Sequence, residues 1–269
     1  MKLKKASCVL LAALFIFASF ACGGESGTKK DDSLQKVLDS GFLVLGLDDG
    51  FPPMGFRDGS GEIVGFDIDV AQEVCDRLGV TLVKKSIDWD KKDDELNSGS
   101  IDCIWNGFSV TPARSESMCL SDPYMKNELI FVILDTSDVR AIRDLKGKKI
   151  GVQSGSTAQE VLESSDLFPQ VTVSAYDTVL ILVEKLNQKE IDVALIDSVA
   201  AYYLIFSNET QQYFLLPDSL DEEEYAVGFR KDDKALRDKV QQILNEMKTD
   251  GTLGEISKKW FGSDITTVK

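Results

Sequence analysis

The sequence predicts an α/β protein, and three observations carry that prediction. Short apolar runs such as Phe42, Leu43, Val44, Leu45 and Leu47 recur between turn residues, with the length and composition of buried strands. Other segments place apolar residues at helical spacing, as at Phe66, Val70, Ala71, Val74, Cys75 and Leu78, and end at a glycine. The 269 residues are 43% hydrophobic, which supplies core for one large or two modest domains.

The N-terminus precedes this pattern. Lys2, Lys4 and Lys5 form a basic start, and the apolar run 9–20 is too short to span a bilayer, so residues 1–21 predict an export signal. Cys22, followed by Gly23 and Gly24, is similar to the acylation site of a bacterial lipoprotein, with Ser19 and Phe20 departing from the usual leucine and small residue. The alternative is ordinary cleavage that releases a soluble protein. Residues 22–32 are small, polar and charged, which predicts a tether.

The folded body is expected from residue 33. A strand over 42–47 presents Asp48, Asp49 and Phe51 at its carboxyl end, where open α/β sheets bind ligands; a plain turn with Gly50 is the alternative for the two aspartates. The helix 66–78 stops at Gly79, a strand follows over 80–87, and then Trp89. The apolar run of Ile101, Cys103, Ile104 and Trp105 predicts a buried strand, with Gly107 opening a turn that leaves Ser109, Thr111 and Arg114 at its far end. Thr111 is placed to cap a helix whose first residue is Pro112, so free backbone N–H groups and a positive dipole end would face an anion there. Arg114 adds a planar fork of donors that matches a carboxylate. A capped surface helix with a solvated arginine is the alternative.

A second strand and helix array is expected after residue 128. A strand over 148–153 leads through Ser154, Gly155, Ser156 and Thr157 into a helix, with Thr157 and Glu160 at capping-box spacing. The amides of Ser156 and Thr157 would then lie at a helix N-terminus, able to take the other face of a carboxylate or simply to begin a helix. Strand 171–175, helix 179–186 and strand 192–196 follow, the last presenting Asp197, which can also cap the helix over 198–206. Residues 222–229 predict an extended return, and helices over 235–247 and 253–260 close the pattern.

Composition excludes several functions. A net charge of −15 without a long basic run argues against nucleic acid as a partner. The chain contains no histidine, which removes Ser-His-Asp and Cys-His catalysis and the commonest zinc ligand. Cys8 falls in the export signal; of the others, Cys75 and Cys103 sit in apolar patterns as buried free thiols, and Cys119 completes an odd count. No C-x-x-C spacing supports a metal, and neither metal nor cofactor is expected.

Several motifs stand in a familiar order: Gly46-Leu47-Asp48, Pro52 to Phe56, Gly65-Phe66-Asp67-Ile68-Asp69, the Gly107-x-Ser109-x-Thr111-x-x-Arg114 core with Ser121 to Tyr124, Lys148 to Ser156, and Gly251 to Gly262. Over residues 34–262 the chain resembles the substrate-binding proteins of amino-acid ABC importers. The resemblance implies a type II periplasmic-binding-protein-like fold of two lobes, each a mixed sheet flanked by helices. Lobe 1 would be 33–124 and 226–269, lobe 2 130–221, and the hinge 125–129 with 222–225. It implies that Arg114, Thr111, Ser109 and the amides near Ser156 and Thr157 hold the α-carboxylate of a free amino acid. Asp197, with Asp48 and the Gly107 carbonyl, would hold its α-ammonium, and Phe51 and Trp89 would flank its side chain. Asp48, Asp49 and Asp90 favour polar or basic side chains, and Trp105-Asn106 departs from the small residues that relatives carry there. The implied partner is an ABC permease in the cytoplasmic membrane, reached by a lipid-anchored monomer on its outer face or in the periplasm. The rival readings are a dehydratase-like enzyme of the same fold, with Asp48 and Asp197 as acid and base, and a sensor module, for which no output domain follows in this sequence.

Overall fold

A mixed sheet of nine strands organises the described residues, which in this computed structural model are 31–207 and 212–269. The export signal and Cys22 lie outside them. In chain order the elements are α1 (Ser33–Ser40), β1 (Phe42–Leu47), β2 (Gly50–Phe51), β3 (Gly55–Arg57), β4 (Ile63–Val64), α2 (Phe66–Leu78), β5 (Thr81–Ser86), α3 (Lys92–Asn97), β6 (Cys103–Ser109), α4 (Pro112–Ser117), β7 (Met118–Leu120) and β8 (Met125–Leu134). There follow β9 (Lys149–Gln153), α5 (Thr157–Ser164), β10 (Thr172–Tyr176), α6 (Val179–Asn187), β11 (Val193–Asp197), α7 (Ser198–Ser207), β12 (Tyr213–Arg230), α8 (Lys234–Asp250) and α9 (Thr252–Phe261).

The strand order is β10-β9-β11-β8-β12-β6-β1-β5, with β7 pairing to β12. Two parallel groups, β5-β1-β6 and β10-β9-β11, flank the antiparallel pair β8 and β12. Their strands read as continuous apolar runs because helices cover both faces: Leu43, Leu45, Leu47, Ile150, Val152, Val193 and Leu195 are fully buried. α2 ends as expected at Gly79, whose left-handed backbone (φ 74°) a side chain would oppose. The body takes in Asp31, from the expected tether, whose carboxylate accepts from Ala235 N (2.5 Å) at the start of α8.

Three local expectations change. Gly107 does not open a turn: β6 continues to Ser109, and the turn moves to residues 110–111. The strand survives because Gly107 takes φ 57° and its N–H donates to the buried Asp67 carboxylate (2.7 Å), where the β6 and β12 registers shift. The helix after β9 is capped by Ser156, one residue before the expected Thr157; Ser156 Oγ accepts from Gln159 N (3.2 Å). The extended return is far longer than 222–229: β12 runs 18 residues and pairs with β8 for most of its length.

Candidate functional site

A nearly closed cavity of about 20 Å³ lies at the carboxyl ends of the parallel strands, lined by Asp48, Phe51, Trp89, Asn106, Gly107, Ser109, Arg114, Gln153, Ser156, Thr157 and Asp197. Asp48 and Phe51 follow β1, Asn106 to Ser109 end β6, Gln153 ends β9 and Asp197 ends β11. The parallel strands therefore deliver the polar groups to one place, and the aromatic rings fill between them.

The cationic wall is built around Arg114. Thr111 Oγ1 caps α4 by accepting from Arg114 N (3.1 Å), with Pro112 as first helical residue, which fixes where the arginine leaves the helix. Its guanidinium stacks 4.2 Å over the Phe108 ring, and Nη1 donates to the Ser109 carbonyl (2.7 Å). The residue is buried, and no carboxylate of the described residues forms an ion pair with it. Burial lowers its pKa from the ordinary arginine value, against attraction from Glu160, Glu223, Asp93 and Asp197. A buried, fork-shaped cation held by one carbonyl and one ring keeps donors for a carboxylate.

The anionic wall has two carboxyls. Asp197 Oδ1 accepts from Tyr225 Oη (2.6 Å) and Asn127 Nδ2 (2.5 Å), and burial, then the neighbouring Glu223, raise its pKa above the usual carboxylate range. Asp48 accepts from Gly50 N (2.8 Å) and Gln153 Nε2 (2.6 Å), and burial pushes it up to about 6. Its own N–H donates to Asn106 Oδ1 (3.0 Å), so the Asn106 side chain sets the loop that carries Asp48. Phe51 and Trp89 are both buried against this space; Trp89 also packs edge-on to Phe108 (6.2 Å), serving cavity and core at once.

Nine of the ten residues singled out in the sequence line this cavity; Thr111 does not, its hydroxyl being engaged at the helix cap. Ser109 Oγ donates to Glu223 Oε2 (2.9 Å), so in this arrangement its one proton is turned away from the cavity. Asp49 pairs with Arg57 (2.6 Å) and Asp90 accepts from Ser154 Oγ (2.7 Å), leaving Asp48 as the acid at the side-chain end. Gln153 and Phe108 were missed, and Asn106 was noted only as a departure from relatives, without its bond to the Asp48 N–H. Asn106 had a signal, a lone amide inside an apolar strand; Gln153 and Phe108 had none that the sequence distinguishes from an ordinary strand end and core.

Known proteins resemble this chain in sequence and fold. Residues 43–263 match the bacterial extracellular solute-binding proteins, family 3. The arginine-binding extracellular protein ArtP of Bacillus subtilis is 32% identical, over 96% of this chain and 98% of its own. Two solved structures are similar: Tv2483 bound to L-arginine (33% identity, TM-score 0.84, 88% of this chain and 98% of that one), and an ABC uptake transporter substrate-binding protein of Streptococcus pneumoniae with bound histidine (35%, 0.83, 89% and 100%). With the family matched across the whole sheet and across every strand that lines the cavity, the chain belongs to family 3 of the bacterial extracellular solute-binding proteins.

Proposed function

We propose that the protein captures a free amino acid with a polar or basic side chain outside the cytoplasm and delivers it to an ABC importer permease. The observation that carries this reading is the buried guanidinium of Arg114, without a carboxylate partner among the described residues, in the same small cavity as the Asp197 and Asp48 carboxyls. An amino-acid zwitterion supplies the missing charges: its carboxylate for Arg114 and the α5 amides of Ser156 and Thr157, its ammonium for Asp197. Each charged hydrogen bond contributes about 1.5–3 kcal/mol. Phe51 and Trp89 wall the side-chain stem, and Asp48 receives a donor or cation at its end.

Capture works by closure of two lobes, 33–124 with 226–269 against 130–221, about the segments 125–129 and 222–225. The hinge reading draws support from register: Glu222 faces Glu128, Glu223 faces Asn127, Glu224 faces Lys126 and Tyr225 faces Met125, so the two segments form one hydrogen-bonded ribbon that bends as a unit. Residues from both lobes touch the ligand, so ligand binding shifts the equilibrium toward closure by its difference in affinity. The chain is exported by residues 1–21 and anchored through Cys22 as a monomer; labelling by a palmitate analogue that persists in Cys22→Ala would reject the anchor.

A thermal-shift screen of the mature chain against the twenty amino acids, cystine and ornithine tests the reading. A ligand at 100 times its dissociation constant adds about 2.7 kcal/mol to stability, a rise of several degrees. A flat screen would refute amino-acid capture, and a response to acidic amino acids alone would refute the side-chain class.

A further inference from the structure

Behind the Asp197 carboxyl lies a second one that the cavity does not expose. Glu223, half-buried on β12, accepts from Ser109 Oγ (2.9 Å) and from Asn127 Nδ2 (3.0 Å) through the same oxygen. The same Asn127 nitrogen donates to Asp197 Oδ1 (2.5 Å). Asn127 cannot turn its oxygen toward the pair, because that oxygen accepts from Ser198 N and Ser198 Oγ, both at 3.1 Å. One buried amide thus holds two carboxyls, one in the cavity and one in the proposed hinge. A carboxylate so placed on Glu223 raises the proton affinity of Asp197.

Resting on the amino-acid reading, we infer that Glu223 is a positioning residue for the ligand's ammonium group, acting through Asn127 and Asp197, and that filling the site drives out a proton held by Asp197. Asp197 loses one O–H proton to solvent and becomes ionised, the incoming ammonium takes its place as the positive partner, and no other bond changes. The direction follows from the surroundings. Facing the pair are Tyr225 from β12, which donates to Asp197, and Arg114 from α4, whose charge is spent on the ligand carboxylate once that arrives. Glu160 of α5 and Asp93 of α3 also act on Arg114. On the hinge side, Lys126, Glu128, Glu222 and Glu224 share a groove with Glu223, three acids against one lysine. Asp197 therefore sits, buried, in a net acidic setting that favours its retaining a proton, and the ligand's ammonium removes the reason for it.

Affinity then rises with pH as the proton ceases to compete. Calorimetry with L-arginine and L-glutamine, neither of which titrates between pH 5 and 8, in phosphate and in imidazole at pH 6.5 reads the proton directly. Wild-type protein is expected to release a substantial fraction of one proton per ligand, and the des-amino analogue of the same acid to release none. Glu223→Gln should reduce the release, flatten the pH dependence of Kd, and weaken binding about tenfold at pH 8 with little effect at pH 5.5. Binding with no proton release, or a Glu223→Gln variant that weakens Kd equally at both pH values, would overturn the inference while leaving amino-acid capture intact. Failure of every amino acid to bind would overturn both.

Discussion

Replacing Arg114 with alanine separates its role in binding from its role in stability. In the empty protein the guanidinium is buried, stacked on Phe108 and bonded to one backbone carbonyl, without a carboxylate partner among the described residues. Removing it loses packing on a ring and one charged bond, about 1.5–3 kcal/mol, but also removes a desolvated cation whose burial is itself unfavourable. These oppose each other, so the melting temperature should move by only a few degrees in either direction. Binding has no such compensation: two charged hydrogen bonds to a ligand carboxylate at about 1.5–3 kcal/mol each correspond to a Kd increase of about 10² to 10⁴. Titration calorimetry on the screened ligand measures it, and Arg114→Lys, which keeps charge but not the fork, should fall between. A Kd within threefold of wild type in a folded Arg114→Ala protein would refute the carboxylate clamp.

Three other perturbations follow from the same geometry. Asp197→Asn should weaken binding of amino acids about 10- to 100-fold by removing one charged partner of the ammonium, yet raise the empty protein's melting temperature at pH 8, since burial disfavours that carboxylate; a lower melting temperature at pH 8 would contradict it. Gly107→Ala forces a left-handed backbone costing about 1–2 kcal/mol and puts a methyl 2.6 Å from Phe51 Cε1, so both stability and affinity should fall; scanning calorimetry and calorimetric titration check them together. Asp67, fully buried, has its carboxyl pushed up to about 7 by that burial. Its folded pKa exceeds its unfolded one, so its contribution is most favourable below about pH 4 and declines as pH rises through about 7, by on the order of 4 kcal/mol. Asp67→Asn should flatten the melting-temperature profile between pH 5 and 8, and an unchanged profile would refute the assignment.

What the sequence disclosed followed from short-range chemistry. β1 and α2 appear with their predicted bounds because apolar runs and a terminating glycine act locally, and Thr111 with Pro112 starts α4 for the same reason. What it hid depends on groups far apart in the chain. Gly107 passes for a turn until Asp67, forty residues earlier, is seen to take its N–H and keep it in the strand. Ser156 and Thr157 both have capping chemistry and suitable residues downstream; Gly155 at φ 64°, pressed against Asp90, decides between them by fixing where the chain enters the helix. The acids 222–224 already read as extended, but the first part of β12 was concealed by Pro217, which cannot donate to a ladder; pairing with β8 overrides that local preference and carries the strand back to Tyr213. Gln153 reaches Asp48 across 105 positions, a separation at which no spacing rule operates.

These distances also bear on why closure would need a ligand. The contacts that bridge the proposed cleft without one are modest. Lys92 Nζ donates to the Gly155 carbonyl (3.0 Å), Ser154 Oγ to Asp90 (2.7 Å), Gln153 Nε2 to Asp48 (2.6 Å), and Thr157 Oγ1 reaches Ser109 Oγ at 3.4 Å. Hydrogen bonds of this kind contribute about 0.5–1.5 kcal/mol each when neutral and about twice that when charged. Against them stands the burial of Arg114, Asp48 and Asp197 in one small space without mutual neutralisation, at several kcal/mol per ion. The two sums oppose each other, so on the proposed hinge reading closure gains most when a ligand is bound. A zwitterion acts on the second sum alone, giving the guanidinium a carboxylate and Asp197 an ammonium, and it does so only when both walls are in place. The same charges that make the empty cavity costly therefore make the filled one selective: a neutral solute of equal size would inherit the cost of burying three charged groups and offset none of it.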